Sequence, residues 1–159
     1  MHHFDPDEYL YFVDRAFDGM LAVLRELGDD RANHAPPLEG ANSPWAITHH
    51  CAEVADYWIG HLIGGRPSER DRAGEFTTTG TVAELAGRIG ALRVTLRDDL
   101  ADFDPDAPLR HTPPAAYEGP SRTLSAGGVL LHVLEELAQH HGQVQVSRDV
   151  LDATARAAS

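Results

Sequence analysis

The strongest constraint on the fold is an apolar repeat whose spacing alternates between three and four residues. Because an α-helix turns once in about 3.6 residues, this spacing places the apolar side chains on one face of a helix. A helix with one apolar face buries that face against other helices. The first segment that carries the repeat therefore predicts a bundle helix, and its apolar residues are Leu10, Val13, Phe17, Met20, Leu24 and Leu27.

Four segments combine such a repeat with a helix start signal, and they predict helices over residues 5–27, 43–63, 81–103 and 125–151. The residues that can cap their N-termini are Asp5, Ser43, Thr81 and Ser125. Gly28 and the pair Gly64-Gly65 mark the ends of the first two helices. The remaining apolar lines run through Ile47, Cys51, Val54, Trp58 and Leu62, through Val82, Leu85, Ile89, Leu92, Leu96 and Phe103, and through Leu130, Leu134, Leu137, Val144 and Leu151.

No segment indicates a strand, so we expect an all-α four-helix bundle that forms a single domain over residues 1–159. The connections 28–42, 64–80 and 104–124 are rich in glycine, proline and charge, and all are longer than the two to about eight residues usual between bundle helices. We therefore expect at least one long crossover connection. The last connection carries His111, Tyr117 and Arg122, which could wall a substrate pocket or belong to an irregular surface loop.

Composition limits the classes of function. With 13 basic and 25 acidic residues the net charge is −12, which would repel a nucleic-acid backbone. No apolar run is long enough for a membrane span and the N-terminus lacks a signal peptide, so we expect a cytoplasmic protein with no membrane partner. The single cysteine, Cys51, excludes an internal disulfide and is interpreted as a core residue. His2 and His3 are interpreted as a frayed end.

Metal-capable side chains form a stripe on the fourth predicted helix: His132, Glu136 and His140. Residues four apart lie on nearly the same helix face, so Glu136 and His140 can reach one cation. His50 points from the apolar line of the second helix toward the interior, and it is the candidate third ligand. Two alternatives stay open, because His50 could be a hydrogen-bonded core histidine and Glu136 with His140 an ordinary intrahelical pair.

The direction in which side chains leave the fourth helix gives a second candidate ligand besides His140. When the line of Leu130, Leu134, Leu137 and Val144 is taken as the centre of the buried face, His141 points most directly inward. His140, however, has Glu136 one turn before it, whereas His141 has a leucine there. The spacing favours His140 and leaves His141 as a core histidine or a second candidate ligand.

The motif H-C-A-E-V-A-D-Y-W that begins at His50 is followed about 80 to 90 residues later by E-x-x-x-H-x-G-Q, which contains Glu136 and His140. This pattern resembles the DinB family of four-helix bundles over nearly the whole chain. The resemblance implies a divalent metal ion, with zinc and nickel among the candidates, held by His50, Glu136 and His140. Many members carry histidine at the position of Glu136, and the glutamate is similar to the isomerase branch. His132 departs from the three-ligand pattern and would support the ligands indirectly or face solvent.

The resemblance also implies an activity and partners. Similar proteins include mycothiol-dependent maleylpyruvate isomerase and bacillithiol or glutathione transferases, and many of them form homodimers. We therefore expect a metal-dependent transferase or isomerase that uses a low-molecular-weight thiol and a small-molecule substrate. A metal-dependent hydrolase and a non-enzymatic stress protein that binds a metal or small ligand are the alternatives.

Overall fold

The computed structural model describes residues 4–117 and 119–158, and this part of the chain contains four α-helices and no strand. The helices are α1 (Pro6–Ala32), α2 (Pro44–Ala55), α3 (Val82–Asp99) and α4 (Ala126–Ala157). A π-helical segment, Asp56–His61, continues α2, and a short 3-10 turn spans Ala115–Tyr117. The predicted all-α fold is confirmed. His2 and His3 lie outside the described residues.

All four predicted start signals cap a helix. In each case the side chain of the residue before the helix accepts a hydrogen bond from a backbone N–H of the first turn, and these residues are Asp5, Ser43, Thr81 and Ser125. At α3 the bond is reciprocal, because the Glu84 carboxylate also accepts from the Thr81 backbone N–H. Local sequence therefore determines where each helix begins.

The helix ends agree less closely with the prediction. Gly28 leaves the helical conformation as expected, with φ 73° and ψ 168°, but α1 then continues for one more turn to Ala32. α3 ends at Asp99, so Phe103 lies beyond the helix, where its ring packs 4.8 Å from that of Phe4. α4 continues past the predicted end to Ala157. The predicted second helix corresponds to α2 together with the π-helical segment.

The arrangement of the helices requires the long connections. α1 packs against α3 and α4, and α2 packs against α4 and, with its π-helical segment, against α3. Within the described helices, α3 and α4 make no contact, so they occupy opposite corners of the bundle. The chain between them must cross the end of the bundle, which confirms the predicted crossover. The predicted contact between the second and fourth helices is present as well.

The apolar lines form the core. Every predicted core residue of α1 and α2 is buried, and the largest fully enclosed side chains include Phe17, Met20 and Ile47. On α4 the line is less complete, because Leu134 and Leu151 are only partly covered. Among the described helices, none combines the length and apolar character that crossing a membrane requires.

Candidate metal centre

His50, Glu136 and His140 meet where α2 packs against α4. His50 is 4% exposed, and its Nε2 lies 3.6 Å from Oε2 of Glu136. The same carboxylate oxygen lies 3.4 Å from Nε2 of His140. Each residue offers one donor atom, and the three atoms lie within 4.8 Å of one another. The structure thus brings the three predicted residues into one group, called the three-residue cluster below.

The spacing of these donor atoms can be compared with what a metal ion requires. Nitrogen and oxygen ligands about 2.0–2.2 Å from a tetrahedral zinc ion lie roughly 3.4 Å from each other. The two contacts of Glu136, at 3.6 Å and 3.4 Å, are close to this separation. Imidazole and carboxylate donors suit zinc, nickel and other divalent ions. The three-residue cluster therefore fits a divalent ion, and its chemistry does not select one metal.

In both histidines, the ring nitrogen that does not face Glu136 lies next to an oxygen acceptor. Nδ1 of His50 lies 2.6 Å from Oε2 of Glu75, and Nδ1 of His140 lies 2.8 Å from Oε1 of Gln143. In the neutral ring, an acceptor at Nδ1 keeps the proton on that nitrogen and leaves the Nε2 lone pair available on the side of Glu136. Gln143 is the last residue of the E-x-x-x-H-x-G-Q motif, and this contact gives that position a physical role.

Glu75 lies in the connection between α2 and α3 and is only 2% exposed. Nε of Arg70 donates to one of its oxygens at 2.5 Å, and Nη2 donates to the other at 3.2 Å. The Arg70 guanidinium also lies over the rings of Tyr117 and Tyr57, at 4.9 Å and 5.4 Å from their centres. The sequence pattern predicts no role for Glu75 or Arg70. Their segment has no helical period, and charge was the only signal that they carried.

The hydrogen bonds of the site keep both carboxylates ionised. Contacts with His140 and His50 lower the pKa of Glu136 far below its usual value. Burial raises the pKa of Glu75, but hydrogen bonds from His50 and Arg70 outweigh this effect and leave the pKa below its usual value. Burial lowers the pKa of His50, yet its contact with Glu136 and its hydrogen bond to Glu75 leave that pKa raised. Two negative charges therefore flank one imidazole, an arrangement that favours a cation.

The other candidate histidines of α4 lie outside the three-residue cluster. His132 is 7% exposed and packs edge-on against Trp58 with 4.5 Å between ring centres, so the solvent-facing alternative is wrong. Burial lowers its pKa and favours the neutral ring. His141 packs against α1, where a Cβ atom added to Gly19 would lie 2.1 Å from its Nε2. The inward direction that helix phase gave for His141 leads to α1 and away from His50.

The other histidines of the second predicted helix also lie outside the three-residue cluster. His49 stacks on Trp45 with 5.2 Å between ring centres, and His61 lies at the end of the π-helical segment, where its Nδ1 meets the Arg66 carbonyl at 2.6 Å. Neither belongs to the three-residue cluster. Cys51 is fully buried, and burial raises the pKa of its thiol well above the usual value. This agrees with its interpretation as a core residue.

A cavity of about 140 Å³ adjoins the three-residue cluster. Its wall includes all three cluster residues together with Trp58, Arg70, Arg72, Phe76, Tyr117 and His132. Of the three pocket candidates in the last connection, only Tyr117 reaches this cavity. His111 and Arg122 line a separate cavity of about 460 Å³, whose wall shares Trp58 with the smaller one.

A comparison with known protein families identifies the family of this chain. The sequence model of the DinB superfamily matches residues 13–144, a range that includes the three-residue cluster and Gln143. No curated protein and no solved structure matches the chain. The match covers most of the chain and agrees with the observed all-helical fold. The chain belongs to the DinB superfamily.

Proposed function

We propose that the protein is a metal-dependent enzyme that binds one divalent ion, zinc or nickel, through His50, Glu136 and His140 and uses it with a low-molecular-weight thiol. The observation that carries this proposal is the position of three convergent donors on the wall of a cavity. Donors that only stabilised the fold would not need a cavity beside them. Membership of the DinB superfamily supports the same assignment.

The residues around the three-residue cluster prepare it for a cation. Glu75 and Gln143 orient the two imidazoles, and Glu136 supplies a carboxylate that stays ionised. Because α2 and α4 are rigid elements, the donors need little rearrangement when an ion binds. Three protein ligands would leave a coordination position for an exogenous group. A divalent ion bound there would lower the pKa of a coordinated thiol and supply thiolate at neutral pH.

The chain does not provide its own sulfur nucleophile. Cys51 is the single cysteine, it is completely buried, and its pKa is raised. A thiolate is the reactive form of cysteine, so this residue is unsuited to catalysis. A thiol chemistry at this site would use an external thiol such as mycothiol, bacillithiol or glutathione, in a transferase or isomerase reaction. The single domain over residues 1–159, the cytoplasmic location and the homodimer stay predictions.

Cobalt-substituted protein tests the proposal through its spectrum. Titration with mycothiol, bacillithiol or glutathione should produce a sulfur-to-cobalt charge-transfer band in the wild-type protein. The band should be absent in His50→Ala and present in His61→Ala, which removes a histidine outside the three-residue cluster. If none of the thiols changes the spectrum of cobalt-loaded protein, the thiol proposal is wrong. Water activation or simple metal binding would then replace it.

A further inference from the structure

We infer that the cavity beside the three-residue cluster binds a carboxylate group of the substrate or thiol, and that Arg70 is the residue that recognises it. The inference rests on the proposed function in placing a metal ion at the three-residue cluster. It does not depend on which reaction follows.

Arg70 has donor capacity that the protein leaves unused. Its side chain is only 2% exposed, and Nε and Nη2 both donate to Glu75. Nη1 is buried and has no hydrogen-bond partner among the described residues. Nearly all buried donors in native proteins are paired, so an unpaired one on a cavity wall calls for an acceptor that the chain itself does not supply. A ligand oxygen in the cavity would be that acceptor.

His132 supplies a second unused polar atom on the same wall. Its Nδ1 is buried and unpartnered within the described part of the chain, and the residue lines the cavity together with Arg70. An imidazole nitrogen donates or accepts according to the tautomer, so it can adapt to a carboxylate oxygen or to a neighbouring hydroxyl. Two buried side chains with unused polar atoms on one cavity indicate a built site for a polar ligand.

The size and lining of the cavity limit the ligand. Its volume, about 140 Å³, is similar to that of an engineered cavity of about 150 Å³ that accommodates benzene, so only a few non-hydrogen atoms fit. Trp58, Phe76 and Tyr117 give it aromatic walls that suit the carbon atoms of an organic acid. Arg70 carries a positive charge, and its Nη1 can donate one charge-assisted hydrogen bond to a carboxylate oxygen. A short-chain acid, or the carboxylate end of a larger molecule, meets these conditions.

The charges around the cavity couple this ligand to the metal. Glu136 lies on the same cavity wall as Arg70, so in metal-free protein its carboxylate would repel an incoming carboxylate. A divalent ion at the three-residue cluster would offset that charge. We therefore expect carboxylates to bind the metal-loaded protein more tightly than the metal-free protein.

Two thiols of matched length test the inference on cobalt-loaded protein: 3-mercaptopropionate, which ends in a carboxylate, and 3-mercapto-1-propanol, which does not. Their dissociation constants can be read from the charge-transfer band. We expect the carboxylate compound to bind roughly 10- to 100-fold more tightly to the wild-type protein, as a charge-assisted hydrogen bond allows. Arg70→Lys, which keeps a cation for Glu75, should lose most of this preference, measured as the ratio of the two dissociation constants within the same variant. Arg88→Lys, the same change on α3 outside this cavity, should retain the preference.

The outcomes separate the inference from the proposed function. Equal binding of the two thiols by wild-type protein would overturn the inference and leave thiol activation intact, and this comparison does not depend on any variant folding. If neither thiol gives a band, propionate is tested as a thiol-free ligand of zinc-loaded protein by thermal unfolding. Stabilisation by propionate that Arg70→Lys abolishes would sustain the inference without thiol chemistry. Absence of stabilisation would overturn it.

Discussion

Nδ1 of His50 meets Oε2 of Glu75 at a distance of 2.6 Å, although the two residues are 25 positions apart and Glu75 belongs to no helix. Both side chains are almost completely buried. Glu75 is in turn bonded to Arg70, so a segment outside the helices ties the orientation of His50 to the connection between α2 and α3. The direction in which Nε2 of His50 faces Glu136 is therefore set by residues beyond the three-residue cluster.

Replacing Glu75 should weaken metal binding and the fold together. Glu75→Gln removes the charge that balances Arg70 and weakens the acceptor for His50. We expect metal affinity to fall about 10- to 100-fold, as is usual when the partner of a ligating histidine is lost. The free energy of unfolding should fall by roughly 3 kcal/mol, because a buried cation loses its counter-charge. Competition with a chelator and urea denaturation measure the two effects.

Glu53→Gln is the control for that experiment. Glu53 on α2 pairs with Arg88 on α3, and their side chains are 15% and 40% exposed. Because ion pairs that solvent reaches contribute about 1 kcal/mol or less, the control should change stability less than Glu75→Gln does and leave metal affinity unchanged. An equal loss of metal affinity in both variants would show that Glu75 has no specific role.

Gln143 should influence metal binding through His140. Gln143→Ala removes the acceptor at Nδ1 of His140, and both side chains have access to water, which can replace part of the lost bond. We expect metal affinity to fall by less than in Glu75→Gln, by about 10-fold or less. Gln145→Ala, an exposed position on the same helix, is the matched control. Unchanged metal affinity in Gln143→Ala would mean that His140 keeps its orientation without this hydrogen bond.

The helices and the three-residue cluster were largely predictable, because their signals are local. Caps such as Thr81, the apolar repeat of α1, and the four-residue spacing of Glu136 and His140 all follow from the geometry of one helix. The roles of Glu75 and Arg70 were not predictable, because they arise where an irregular segment folds over α2. Helix phase pointed His141 inward, but phase gives a direction and does not identify the neighbour. The neighbour proved to be Gly19 on α1.

Gly19 should be sensitive to substitution because of that contact. In Gly19→Ala the new Cβ would lie 2.1 Å from Nε2 of His141, so the ring must move. Overpacking usually costs about 1–3 kcal/mol, which exceeds the gain of roughly 1 kcal/mol when alanine replaces glycine in a helix. We expect a net loss of stability in urea denaturation. His141→Ala combined with Gly19→Ala should recover part of this loss.

Gly90→Ala, in contrast to Gly19→Ala, should stabilise the protein. Gly90 lies in α3, and a Cβ atom added there would have no neighbouring atom of the described residues within 4 Å, so only the helix propensity changes. Stability should rise by up to about 1 kcal/mol. Stabilisation of similar size at Gly19 would contradict the position of His141 against α1.

Cys51 should be dispensable for thiol chemistry. Cys51→Ala should leave metal content and the cobalt–thiol band unchanged, because the residue packs in the core and is not a thiolate. Stability should fall by about 1–2 kcal/mol through the lost burial of the sulfur atom. The wild-type thiol should react with Ellman's reagent only after unfolding. Rapid reaction in the folded protein would contradict its burial.

Metal content at equilibrium tests the central claim most directly. Wild-type protein and single alanine variants are dialysed against zinc, and the bound metal per chain is determined by elemental analysis. We predict close to one ion for the wild type, His49→Ala and His61→Ala, and marked loss for His50→Ala, Glu136→Ala and His140→Ala. Equal metal content in all of these proteins would contradict the assignment of the three-residue cluster.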